Sequence, residues 1–400
     1  MIQRARREFD GVICFGGVDW WYHNRGHYDL RLTRLLARRV PVLFVNSLGM
    51  RMPGPGEGSM FLRRVSRKLR SVARGLVEVE PGFHVLSPPY VPAGRAEALL
   101  RRVLAARVRG AAAKLGMRSP LVWVACPTAA RVAFELGAAG VLFQRTDRFE
   151  AFDPSSEGAI GADCQLLLER ADLSVYCARN LMAEEDQGRA LFLDHGVDVR
   201  AFVGAGAERR PLPPGLAQLA DDPRPRVGFV GGLDAHTFDL ALFREVAARL
   251  DDHRFVLVGS SSFPKGSFDL ANITRVPQVA PEAVPDYLAA CDVLIMPWGR
   301  NPWIADCNPV KLKEYLAVGR PVVTTPFAEL AHYEGLVEVA DEPAAFASAV
   351  RAASRSPFDP SPGRERVAGQ TWEAKELQLL ETLESRGLVP GSGVSMGAQR

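Results

Sequence analysis

The chain has 400 residues, of which 47% are hydrophobic, 24% charged and 8% aromatic, and its net charge is +3. Those proportions exclude a disordered, collagenous or disulfide-scaffold chain, and the length suggests two domains, each able to bury its own core. No run of about 18 apolar residues is present, which argues against a membrane-spanning helix, and the stretch Gly11–Phe15 behind Arg4, Arg6 and Arg7 is too short for a secretory signal.

In chain order, short apolar runs alternate with amphipathic stretches. The first half predicts strands at Gly11–Phe15, Val42–Asn46, Phe83–Ser87, Leu121–Cys126, Val141–Gln144, Leu173–Tyr176 and Ala190–Leu193, with helices such as Asp29–Arg39 and Glu97–Leu115 between them. The second half predicts strands at Val227–Val230, Phe255–Gly259, Ile273–Val276, Val293–Pro297, Pro321–Thr325 and Leu336–Val339. Strands alternating with helices imply βαβ units, and so many strands imply two doubly wound parallel sheets rather than one. Residues 203–221, rich in Gly, Pro and Ala, read as a linker. The expected order is an α/β domain over 1–202, the linker, a second α/β domain over 222–364, a helix over 365–386 behind Pro357, Pro360 and Pro362, and a disordered tail over 387–400.

The small net charge conceals an asymmetry. Residues 1–120 carry 22 Lys+Arg against 8 Asp+Glu, a net of +14, so the other 280 residues sum to −11. One end of the molecule is therefore expected to face something anionic. Phe61, Leu62, Val65, Leu69, Val72 and Leu76 fall on one helical face, with Arg63, Arg67, Arg70 and Arg74 opposite and Arg64 and Lys68 on the flank. Phe61–Leu76 reads either as an element lying on an anionic membrane surface or as a core-packed helix with a solvated basic face. No recognition motif accompanies the charge, so nucleic acid is not an expected partner. The six cysteines are scattered with no C-x-x-C pair, which argues against structural zinc and for a reduced, cytoplasmic compartment.

Ligands of doubly wound sheets bind beyond the carboxyl ends of the strands. Gly16-Gly17 and Gly231-Gly232 follow the first strand of each half. Each pair reads as a close backbone approach to a ligand or as a tight βα turn, and neither completes a dinucleotide fingerprint. Asp19-Trp20-Trp21-Tyr22-His23 follows the first pair, with Arg25, His27 and Asp29 beyond it. Trp20, Trp21, His23 and Arg25, with Gly16 and Gly17, are candidate acceptor contacts, although aromatic residues also simply pack. Asp147 stands after a strand between Arg145 and Arg148, facing a substrate or ordering its loop. The run Pro297–Thr325 is the most informative. After the strand, Asn308 and Pro309 read as N-cap and first helical residue, the helix runs Pro309–Val318, and Gly319 ends it. Its first turn is an anion site to which Lys311 adds a full charge. Asp306 in the loop and Glu314 one turn in place a carboxylate on either side, an arrangement suited to a nucleotide sugar.

Asp306-x7-Glu314 within NPVKLKEYLAVGRPVV, together with HGVDVRAF at His195–Phe202, RVGFVGGLD at Arg226–Asp234, YLAACDVLIMPW at Tyr287–Trp298 and TWEAKELQLLETL at Thr371–Leu383, resembles the retaining GT-B glycosyltransferases of the glycosyl transferases group 1 superfamily. The form of the helix is similar to members that build exopolysaccharides and cell-surface polymers. The resemblance implies two Rossmann-like domains facing a cleft, with a C-terminal helix that returns to the first domain. It implies a hexosyltransferase-type enzyme that is cytoplasmic or peripheral on the inner face of a membrane. It implies a nucleotide-diphosphate sugar as donor, an unidentified acceptor and no metal or other cofactor. Glu314 would hold the ribose and Asp306 the sugar hydroxyls. Lys311 and the amides near Asn308–Val310, around Pro309, would meet the diphosphate, and residues near Val276 the base. Asp147 takes the family's sugar- or acceptor-facing position, and His195 a structural role between domains. Two departures stand out: Asp306 replaces the family's first Glu, and GGLDAHTFD puts His236 where an Arg and a Lys are usual, leaving Lys311 or Arg300 to carry the diphosphate. A non-catalytic nucleotide-sugar-binding protein and a GT-B sugar-nucleotide epimerase are the alternatives to a transferase.

Overall fold

The structure is a computed structural model that describes residues 6–23, 26–49, 58–89, 97–152, 157–185, 188–207 and 210–391. In chain order the elements are β1 (Arg7–Phe9), β2 (Val12–Phe15), α1 (Tyr28–Leu36), β3 (Val42–Val45), α2 (Gly58–Ala73), β4 (Leu76–Glu80), β5 (Phe83–Leu86), α3 (Glu97–Lys114), β6 (Leu121–Val124), α4 (Ala130–Ala133), β7 (Gly140–Arg145), α5 (Glu157–Arg170), β8 (Leu173–Tyr176), α6 (Arg179–Glu185) and β9 (Ala190–Phe192). They continue with α7 (Val199–Ala207), β10 (Arg226–Val230), α8 (Leu240–Arg249), β11 (Arg254–Val258), β12 (Ile273–Val276), α9 (Val284–Ala289), β13 (Val293–Met296), α10 (Pro302–Ala305), α11 (Val310–Val318), β14 (Val322–Thr324), β15 (Glu338–Val339), α12 (Pro343–Arg355), α13 (Ser361–Val367), α14 (Trp372–Ser385) and β16 (Leu388–Pro390).

The chain divides into two units, 1–194 with 375–400 and 195–374. In the first, eight strands run in the order β4-β5-β3-β2-β6-β7-β8-β9. All pairs are parallel except β4 with β5. The inner strands are apolar on both faces because helices cover both. On one face Ile13, Phe15, Val122 and Phe143 pack against Leu104 and Val108 of α3 and Leu167 of α5. In the second unit six parallel strands run β12-β11-β10-β13-β14-β15, the 3-2-1-4-5-6 order of a Rossmann sheet. Val258, Leu294 and Met296 pack on Leu312 and Leu316 of α11. Phe229, Phe255 and Ile295 pack on Phe243 of α8 and Phe346 of α12.

The expected domain bounds need correction. Residues 203–207 of the expected linker complete α7, and Pro214–Leu219 forms a 3-10 turn whose Leu216 and Leu219 are core. Gly206 is there for packing: a Cβ on it would lie 1.8 Å from the Val318 carbonyl oxygen of α11. The expected helix over 365–386 is two helices, α13 and α14, with the Thr371 hydroxyl accepting the Ala374 N–H at 3.1 Å where the second begins. The expected tail contains β16, which pairs in parallel with β1, while residues 392–400 lie outside the described residues. Pro309 is the N-cap of α11, not its first residue, and Asn308 precedes it, buried.

Candidate functional site

In the second unit the strand order reverses between β10 and β13, so their carboxyl ends flank the switch point. Helix α11 is fastened there. The buried Tyr315 hydroxyl accepts the Val230 N–H at 3.2 Å, at the last residue of β10. Burial pushes the Tyr315 phenol well above its ordinary range, so it stays neutral. One turn earlier on the same helix face, Lys311 lies over the end of β10. A Cβ on Gly231 would stand 2.3 Å from Lys311 Cε and 3.1 Å from its Nζ. A side chain at Gly231 would push the tip of the lysine aside, and the glycine's own N–H is spent on the Val258 carbonyl oxygen at 2.9 Å. Gly259, at φ +145°, closes the neighbouring strand end, where a Cβ would lie 1.9 Å from the Gly231 carbonyl oxygen. Among the described residues Lys311 has no hydrogen-bond or ion-pair partner.

The loops after β10 and β13 are laced together. The Asp234 carboxylate accepts the His236 and Thr237 N–H groups at 3.1 Å each. Asn301 Nδ2 donates to the His236 carbonyl oxygen at 2.7 Å, and the His236 ring lies 5.5 Å from that of Trp303. Asn301 caps α10, and the buried Asp306 ends it. Thus Gly231 and Lys311 are brought together at one strand end, and Asp306, Asn308 and Pro309 form the short link between α10 and α11. Glu314 lies half-buried one turn into α11, and Gly232 is exposed beside Asp234. Arg300 forms an exposed ion pair with Asp341. The Val276 side chain packs in the core beneath the 3-10 turn at Gly215, at the carboxyl end of β12. His195 stays within the second unit, where its carbonyl oxygen accepts the buried Lys313 ammonium at 2.6 Å and its ring meets Trp372 edge-on.

In the first unit the reversal falls between β2 and β6. Neither glycine amide after β2 is free to hold a ligand: Gly16 donates to Val45 at 2.9 Å and Gly17 to the buried Asp29 carboxylate at 2.8 Å. Gly16 also makes room for Phe44, whose ring would lie 2.0 Å from a Cβ. Burial raises the Asp29 carboxyl despite that bond and the nearby His27. Trp20, expected at the acceptor, is core: it is 2% exposed, with its ring 5.2 Å from Phe83. Trp21 stays near the surface, its indole N–H 3.4 Å from the Ser87 hydroxyl. His23 is exposed, with Nδ1 3.1 Å from the Asp19 nitrogen, and Arg25 lies outside the described residues.

Asp147 follows β7, but neither neighbouring arginine binds its carboxylate. Arg145, 1% exposed, is held by Glu150 at 2.8 Å and Glu185 at 2.6 Å, and Arg148 by Glu184 at 2.6 Å. Burial raises the Asp147 carboxyl above its usual range, against the Thr146 hydrogen bond and the Arg145 charge. The expected facing of α2 holds only in part among its described residues. Arg70 is exposed, Arg74 just past the helix is exposed with its guanidinium 4.2 Å from Trp21, and Val72 is half-buried. Arg67 departs from the expectation, half-buried with its guanidinium 5.3 Å from the Tyr22 ring, and Leu69 is 64% exposed. Phe61, Leu62, Arg63, Arg64 and Val65 have side chains outside the described residues. No described helix is long and apolar enough to cross a membrane.

Comparison with known proteins adds to this geometry. Residues 224–355 match the family described as Glycosyl transferases group 1. The chain is 33% identical over 173 residues to a protein of Bacillus subtilis (strain 168) named as the teichuronic acid biosynthesis glycosyltransferase TuaH. That match covers 40% of this chain and 41% of TuaH, less than half of the relative's length. Among solved structures, sucrose-phosphate synthase from Thermosynechococcus elongatus superposes with a TM-score of 0.65 at 16% identity, over 94% of this chain and 98% of that one. An α,α-trehalose-phosphate synthase (UDP-forming) from Burkholderia vietnamiensis gives 0.64 at 13%, over 95% and 99%. Anabaena HepE in complex with UDP and glucose gives 0.61 at 12%, over 94% and 100%. At these identities the likeness is one of fold, and the fold is GT-B.

Proposed function

Since residues 224–355 match the Glycosyl transferases group 1 family, we propose that the chain moves a sugar from a nucleotide-diphosphate sugar to an acceptor, with retention at the anomeric carbon. The observation that carries this reading is the unpartnered Lys311 ammonium against Gly231 at the switch point of a Rossmann sheet. A cation held half-buried without a carboxylate is poised for an anionic ligand. In the first turn of α11 the Leu312 N–H donates to the Pro309 carbonyl oxygen at 3.2 Å, whereas the Val310 and Lys311 amides have no acceptor one turn back.

In this reading Lys311, those amides and exposed Gly232 hold the diphosphate. As the glycosidic bond breaks, negative charge grows on the diphosphate oxygen that leaves, and donors already in place stabilise it without reorganising. Glu314 accepts from the ribose hydroxyls and Asp306 from the sugar hydroxyls. His236, braced on Trp303, stands where the diphosphate would otherwise meet a stronger base. Asp147 belongs to the acceptor side of the reaction. No side chain acts as nucleophile. The relatives named above are glycosyltransferases or sugar-phosphate synthases, which supports a transferase over a binding protein. A thermal-shift panel of UDP-, GDP- and dTDP-sugars tests the reading: one nucleotide raises the melting temperature, and none does so if the assignment is wrong.

A further inference from the structure

At the switch point of the first unit, α2 and the turn that follows it bring three cations against the carboxyl ends of β2, β3 and β6. Arg67 of α2 lies over Tyr22, and Arg74, in the turn just past the helix, lies over Trp21. Lys68, on the flank, reaches inward and donates to the Ser47 carbonyl oxygen just past β3 at 3.2 Å. The Cys126 sulfur just past β6 lies 3.8 Å from the Ser47 hydroxyl, and the Ser71 hydroxyl donates to the Asp19 carboxylate past β2 at 3.3 Å. Asn46 and Ser87, joined at 2.7 Å, continue the polar floor beneath Trp21. Among the described residues none of the three cations has a carboxylate within ion-pair distance. Asp19 is the acidic side chain that Lys68 senses, and burial holds the lysine below its ordinary range against that attraction.

We propose that Lys68, Arg67 and Arg74 form a phosphoryl-binding subsite, and that the acceptor of this unit carries a phosphate group beside the hydroxyl that is glycosylated. The charge balance selects the ligand. Three cations less the Asp19 carboxylate leave two positive charges, which a phosphate monoester of about −1.5 to −2 neutralises and a single carboxylate does not. Stacking on Trp21 and Tyr22 fixes the guanidinium planes and leaves their N–H edges free for oxyanions. This inference rests on the transferase reading for the word acceptor, but the subsite itself does not depend on the donor site.

The test uses the full chain. Inorganic phosphate is titrated by 31P NMR into Lys311→Ala, which weakens the donor phosphate site, and into Lys311→Ala combined with Lys68→Gln or Lys68→Arg. Saturable binding in the first, weakened at least tenfold by Lys68→Gln and kept within threefold by Lys68→Arg, supports the subsite. Equal binding in all three, or none, overturns it. Sedimentation with phosphatidylglycerol vesicles is the second arm: if Lys68→Gln releases the chain from vesicles while phosphate binding is unchanged, these cations serve a bilayer and the subsite is refuted. Nucleoside-diphosphate affinity reports the donor site separately, since Lys68→Gln leaves it unchanged and Lys311→Ala lowers it.

Discussion

Replacing Lys311 with alanine should weaken nucleoside-diphosphate binding without loosening the fold. The ammonium stands at the end of β10, over Gly231, on a helix anchored by the Tyr315–Val230 hydrogen bond. A charge-assisted contact to phosphate contributes about 1.5–3 kcal/mol. At about 1.4 kcal/mol per tenfold, the dissociation constant should rise between about tenfold and about 150-fold. Stability should change by no more than about 0.5 kcal/mol, because no carboxylate is left stranded when the lysine goes. Isothermal calorimetry, with the nucleoside diphosphate that gives the largest thermal shift, measures the first quantity, and urea unfolding the second. Wild-type affinity in Lys311→Ala refutes the placement of the diphosphate. Weakened binding accompanied by a large loss of stability refutes the claim that the lysine is held ready for a ligand.

The remaining expectations follow from the same geometry. Glu314→Gln should lower affinity for both nucleoside mono- and diphosphate in calorimetry, since it acts on the ribose, whereas Asp306→Asn should leave both unchanged and lower turnover. Turnover should persist in a chelator, because Lys311 and the helix amides meet the diphosphate charge; full loss restored by Mg²⁺ would contradict this. Arg145→Ala should destabilise the first unit by about 3–5 kcal/mol in urea unfolding, since it strands Glu150 and Glu185. Gly206→Ala should cost about 1–3 kcal/mol by the same measurement, because its methyl group meets the Val318 carbonyl oxygen of α11.

The inner strands were legible because burial on both faces leaves continuous apolar runs: VICF, VLFV, LVWV and VLIM are each wholly buried. Strand β4, LVEVE, escaped because it is an edge strand with half-exposed side chains and pairs antiparallel, outside the βαβ rhythm. Strands β1 and β16 are three residues each, and their partners lie at opposite ends of the chain, so no local pattern marks them. The glycines after Phe202 looked like a linker because composition does not distinguish flexibility from close helix packing. The inward reach of Arg67 and the exposure of Leu69 were not legible because hydropathy counts arginine as solvent-seeking, while Tyr22 gives its guanidinium a planar partner. At the donor site, Lys311 and Gly231 were both visible as candidates, but their contact depends on Tyr315 and on the strand order, which only the fold supplies. Gly16 and Gly17 show the converse, a sound motif whose amides the sheet and Asp29 already occupy.

Release of nucleoside diphosphate from a panel of UDP-, GDP- and dTDP-sugars, followed for the wild-type chain, Lys311→Ala and Asp306→Asn, tests the central claim most directly. The account predicts release from at least one sugar nucleotide by the wild type, reduced tenfold or more in both variants, with ground-state nucleotide binding lost only in Lys311→Ala. Tight binding of a sugar nucleotide by the wild type, with no release from any of them even when phosphorylated sugar acceptors are supplied, would contradict it and mark the chain as a binding protein.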